Sequence, residues 1–211
     1  MDRNTYRVFD YVLAFPKPDL HLNVTSNFSV EPKLYDRYHD YVQRLCDTQI
    51  EHFMQYVSLD SWGPQAEYIR HGLDFNLLWD RVNQFLTEIP GRNSITFIVT
   101  MNNLSVVGLD KLFAGILGLR KCYSETYQRV WFDTPVLRQP AWQSLQILPE
   151  SYVEQLEHLW AWMIRQIETE ETRYQGFKDY EIARLDRDIA WMRDGQKMDP
   201  AQLQRNKADF F

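Results

Sequence analysis

Cysteine is nearly missing from this sequence: Cys46 and Cys122 are the two it carries in 211 residues. Two thiols build neither a disulfide framework nor a metal site of cysteine alone, so a reduced, cytoplasmic setting is the expectation. No apolar run approaches the roughly 18–20 residues that cross a bilayer, and the polar opening MDRNTYR is no signal peptide, so no membrane partner is expected. Positive charge is short as well. With 23 Lys and Arg against 29 Asp and Glu, the net charge of −6 gives no bulk attraction to nucleic acid or anionic lipid. His21, His39, His52, His71 and His158 form no i, i+4 pair and have no neighbouring cysteine, which argues against a metal site. Ser58 lacks the G-x-S-x-G turn of a nucleophile elbow, and Cys122 sits in RKCYSE without a recognisable base. Cys46 lies near the apolar stripe of a helical pattern and reads as a packed thiol.

Aromatic residues are plentiful: 15% of the chain, with seven Trp and twelve each of Tyr and Phe. They imply large buried surfaces or flat-ring contacts with a ligand. The length suits one large domain, or one domain with a small appendage. Leu20 to Thr25 alternates like a strand, and Pro32 then opens a helical pattern through Leu34, Tyr38, Tyr41, Val42 and Leu45. Phe53 to Leu59 predicts a second strand. It leads into the polar loop DSWGPQAEYIRHG and an amphipathic helix through Phe75, Leu78, Trp79, Val82 and Leu86 that stops before Pro90-Gly91. Ile95 to Thr100 is a third strand, Gly108 to Leu119 a helix, and Arg129 to Phe132 a fourth strand. Strands alternating with helices predict parallel pairing through right-handed crossovers. After Pro149 the pattern is helical: Tyr152 to Ile167, Phe177 to Met192, and a third helix opened by Asp199-Pro200. In the second of these, Glu181 falls in register with Leu185, and Asp188 with Met192, rather than with opposite charges.

Ligands of parallel α/β folds bind at the carboxyl ends of the strands. Here those ends are polar: Thr25-Ser26-Asn27, Ser58 with Asp60 and Ser61, Thr100 with Asn102 and Asn103, and Asp133-Thr134. Each residue alone reads first as a helix cap or turn former. Four such clusters on one rim read better as a site for an amino-acid or ribose group. Arg70 adds a guanidinium that can hold a carboxylate bidentately, or else pair with Asp74 or Glu67. Trp62 and Trp131 are candidates for stacking on adenine or substrate, although buried packing is the commoner fate. The segment from Trp131 to Trp142 reads equally as a pocket lining and as a packed connector.

The succession VSLDSW, YIRHGLDF and a helix resembles the middle of the radical S-adenosylmethionine (SAM) barrel, closest to its SPASM/twitch branch. LNVTSN before it, FIVTMNNLS after it, and WFDTPVLRQPAWQSLQILP beyond are similar to the neighbouring segments of that branch, so the resemblance spans roughly residues 20 to 150. It implies a partial parallel (βα) barrel over residues 1–148, followed by a helical C-terminal segment over residues 149–211. The activity it implies is radical hydrogen abstraction that starts from SAM on a [4Fe-4S] cluster. Ser58 and Arg70 then match the residues that hold the amino-acid end of SAM. Asp60 stands on the same rim, and Thr100 and Asn102 lie where the next strand end approaches SAM or substrate.

The C-x-x-x-C-x-x-C cluster motif of that family is absent, as is the glycine-rich and acidic element after its second strand. The resemblance therefore implies a chain that supplies SAM-binding and substrate-side residues, is inactive alone, and acquires a cluster only in a longer or partnered form. A fragment of a longer protein is one reading of the missing first half and the apolar KADFF end. A split, non-catalytic binding or scaffold subunit that pairs with a cluster-bearing half is the other. A generic nucleotide-binding α/β protein is a third reading from another class.

Overall fold

The computed structural model describes residues 3–48, 50–89 and 92–208; the Pro90-Gly91 stop signal and the end of KADFF lie outside them. Helix α1 (Arg3–Ala14) precedes strand β1 (Lys17–Ser26). Helix α2 (Pro32–Thr48) leads to β2 (Ile50–Ser58). Helices α3 (Pro64–Ile69) and α4 (Phe75–Glu88) precede β3 (Asn93–Ile98), and α5 (Leu109–Tyr123) precedes β4 (Val130–Asp133). The expected strands and crossover helices are all present. Helices α1 and α3 are additions: α1 buries Tyr6, Phe9 and Val12 at a spacing of three, and α3 starts at a proline whose missing N–H costs nothing there. Asp74 caps α4 by accepting the N–H of Leu77 at 2.9 Å.

Among the described residues the four strands form one sheet in the order β1-β2-β3-β4, every pair parallel. Such an order with right-handed crossovers places successive helices on one face, and the packing agrees. Gln55, Ile95 and Val130 stand in one row of that face, and Val57, Phe97 and Phe132 in another. Phe53 meets Tyr38 of α2 and Phe85 of α4, Phe97 meets Trp79 of α4, and Phe132 meets Phe113 of α5. Gln55 is the polar exception. It accepts from the Tyr38 hydroxyl and donates to the carbonyls of Val24 at 3.1 Å and Tyr56 at 2.8 Å, so burying it leaves little unpaired.

The opposite face carries Met54, Tyr56 and Ser58 on β2, Thr96 and Ile98 on β3, and Trp131 and Asp133 on β4. No crossover helix covers it. The chain then passes through single turns at Ala141–Gln143 and Leu145–Ile147 into α6 (Glu150–Arg165), α7 (Asp179–Gln196) and α8 (Pro200–Ala208). A fully buried ion pair ties α7 to α5. Arg120 donates to Glu181 through both terminal nitrogens, at 2.9 and 2.6 Å, and also to the carbonyls of Val130 and Gly176. Glu181, in register with Leu185 in its own helix, thus finds its counter-charge on a different element. Among the described residues no helix is long and apolar enough to cross a membrane.

Candidate functional site

Much of the strand-end rim is bonded within itself, although the buried Asn103 Oδ1 has no hydrogen-bond partner. Asp60, 4% exposed, accepts the backbone N–H of Thr100 at 2.8 Å and a hydrogen bond from Arg70 Nη2 at 3.1 Å. Arg70 Nε stands 2.8 Å from the other carboxylate oxygen as an ion pair without hydrogen-bond alignment. Arg70 therefore serves Asp60, neither Asp74 nor Glu67, and links the loop after β2 to the end of β3. The Ser61 hydroxyl donates to the carbonyl of Val107, and Gln65 Nε2 to that of Leu104 at 2.8 Å. Gly108 has φ 87°, and a Cβ there would lie 2.9 Å from Ser61 Oγ, so this approach of the two loops requires glycine. Asn102 is turn-forming: its Oδ1 accepts from the N–H groups of Leu104 and Ser105, and its amide donates to Thr100. Asn103 donates to the carbonyl of Trp142 at 3.1 Å.

The end of β1 is built the same way. Ser26 and Asn27 accept backbone N–H groups two residues on, and Phe28 is buried at φ 55°. Arg81 of α4 holds that turn by donating to the carbonyls of Phe28 and Val30 while lying over the Tyr35 ring. Burial and this guanidinium bear on Tyr35 in opposite senses; burial wins, and the phenol is pushed above its usual range. Nothing local in the sequence announces Arg81, because its partners lie some fifty residues away.

The open sheet face is different. Ser58, Ile98 and Asp133 form its last row toward the strand ends, which puts Ser58 about 10 Å from Asp133 across two strand spacings. Next to that row lies a cleft of about 400 Å³, lined by Met54, Tyr56, Thr96, Ile98, Trp131 and Asp133, with Tyr180 and Arg184 of α7 forming a wall. Arg184 Nη1 is 2.6 Å from Asp133 Oδ1, and both side chains stay open to solvent, at 35% and 47%. Trp131 is half-buried in this cleft, whereas Trp62 packs against Phe75 and Trp79 at 4.7 Å. A larger cavity of about 570 Å³ lies between α5 and α6, rimmed by Asp110 and Glu154. It holds none of the strand-end polar groups, so the smaller cleft is the better candidate site.

At the amino ends of the strands, the His21 and His52 rings come within 5.8 Å, and Ser94 Oγ lies 3.1 Å from His52 Nε2. Burial, and His21 beside it, lower the pKa of His52. Among the described residues no group of three or more His, Cys, Asp or Glu side chains could hold a metal ion. The Cys46 thiol is pushed up to about 12 by burial on α2, and Cys122 is exposed on α5. Two cysteines on separate helices do not match the three thiolates that a cluster of the resembled family requires. No protein-family model, curated protein or solved structure matches this chain.

Proposed function

We propose that this chain is the ligand-binding second half of a radical SAM-type (βα) barrel, with SAM and substrate held on the open sheet face. A single observation carries the reading. Helices α2, α4 and α5 pack on one face of the sequentially ordered parallel sheet, and the opposite, partly covered face bears Ser58, Trp131, Asp133 and a cleft of about 400 Å³. Ser58 remains the residue assigned to the amino-acid end of SAM. Arg70, committed to Asp60, acts by fixing the loop that follows Ser58, and Thr100 and Asn102 fix the neighbouring loop. Among the described residues no set of metal ligands is found, and on this reading a cluster-bearing half supplies radical generation. Among the described residues no strand pairs with the outer edge of β1, which favours pairing with such a half as a separate subunit, or with further chain of the same protein.

Thermal denaturation of the chain with increasing SAM tests the reading. SAM should raise the melting temperature in a concentration-dependent way, and Ser58→Ala should weaken that response about tenfold. Anaerobic reconstitution should leave no stoichiometric iron or sulfide on the isolated chain. A stoichiometric cluster, or a shift produced by another nucleotide and not by SAM, would overturn the proposal.

A further inference from the structure

The cleft on the open face is lined by the aromatic residues Tyr56, Trp131, Phe132 and Tyr180, with Met54, Thr96 and Ile98 and one charged pair. The members of that pair come from different elements, Asp133 from the end of β4 and Arg184 from α7, and both remain accessible. Arg184 also lies 5.2 Å from the Tyr180 ring centroid, which keeps the guanidinium at the wall of the cleft. A half-exposed ion pair is held weakly, so a ligand can open it at little cost.

The sign of the pair restricts what can do so. A simple anion would draw Arg184 away and leave the Asp133 carboxylate uncompensated, and a simple cation would do the reverse. A ligand that carries both charges compensates both residues. Guanidinium matches a carboxylate through paired hydrogen bonds, and a carboxylate accepts readily from an ammonium. The surrounding rings then take a flat apolar side chain, in a volume within the range of small-molecule sites. We infer that the Asp133–Arg184 pair makes this cleft a site for a zwitterionic amino acid with an aromatic side chain. Arg184 takes its carboxylate and Asp133 its ammonium, with the ring against Tyr56 and Trp131. The inference rests on reading the open face as a ligand site, and it assigns the substrate class to the end of the row opposite Ser58.

Calorimetric titration of the full chain with L-tryptophan, N-acetyl-L-tryptophan and L-tryptophanamide tests it. L-tryptophan should bind at least about tenfold more tightly than either blocked analogue, since each analogue lacks one charge-assisted contact. Arg184→Met should abolish the preference for L-tryptophan over its amide, and Asp133→Asn the preference over the N-acetyl compound, with circular dichroism showing that both variants fold. No binding of L-tryptophan, equal affinity for all three probes, or an unchanged Arg184→Met variant would overturn the inference. SAM serves as the separating control. Arg184→Met should leave SAM binding intact and Ser58→Ala should leave L-tryptophan binding intact. Loss of SAM binding alone counts against the radical SAM reading, and loss of L-tryptophan binding alone counts against the substrate class.

Discussion

Two carboxylate–arginine pairs stand on neighbouring parts of this molecule with different consequences. Asp60 and Arg70 belong to the strand-end rim, and Asp133 and Arg184 to the open face of the same sheet. The Asp60 side chain is 5% exposed and also accepts the Thr100 N–H, so its oxygens are committed within the fold. Asp133 is 47% exposed and borders a cleft. The difference teaches that polar residues at strand ends are not in themselves a binding site. Where two loops lie close enough to bond each other, as at Asp60 and Thr100, part of their donors and acceptors is used within the fold. Where the crossover helices leave the sheet face open, the groups stay open to a ligand.

The pair Arg120–Glu181 extends the comparison to full burial, and it should give the largest effect. Glu181→Leu leaves a buried guanidinium without its counter-charge and should destabilise the chain by about 3–5 kcal/mol in urea unfolding. A loss no greater than that of a surface change would break the ordering by burial. Next, Asp60→Ala should cost roughly 2–3 kcal/mol, because it leaves the Thr100 N–H and Arg70 without their partner, while Asp133→Asn should cost under about 1 kcal/mol. Equal losses at the two aspartates would remove the distinction between rim and face.

Asp188 gives a smaller, pH-dependent effect. It is fully buried beside Thr134, and its pKa is raised to about 6, first by burial and also by the nearby Asp133, against the lowering influence of Arg187 and of Thr134. A carboxyl whose folded pKa lies above its ordinary value of 3.8 binds its proton preferentially in the native state. Its contribution is therefore present below about pH 4 and is lost as pH rises through 6. Between those limits stability should fall by on the order of 2 kcal/mol on this account, and Asp188→Asn should flatten the profile measured by urea unfolding at each pH. An unchanged profile in the variant would place the titrating group elsewhere.

Much of the fold was legible in local pattern. Alternation in LHLNVT, the β-branched run ITFIVT, and the helical spacing of Phe75, Leu78, Val82 and Leu86 all fall in elements of the expected type. Boundaries moved by a few residues: Thr100 stands past β3, because the chain turns there to bond Asp60. Helix α1 was readable from Tyr6, Phe9 and Val12, but the exposed Val8 and Tyr11 between them blur the apolar stripe. The rim residues were legible as polar, but their bonds were not, since the Thr100 N–H that Asp60 accepts lies forty residues on, past the end of β3. Arg184 and Tyr180 gave no local signal at all. They sit in a charge-rich helical stretch and gain meaning only where α7 passes Trp131.

The sequence by itself determined the order of strands and helices, because periodicity and turn chemistry act between near neighbours. It also determined that this chain carries two thiols. Tertiary structure alone decided which acid meets which arginine: Asp60 with Arg70, Glu181 with Arg120, and Asp133 with Arg184. Only the fold sets the burial of each pair and the partners around it, and a charged group's strength and availability depend on those surroundings more than on its identity.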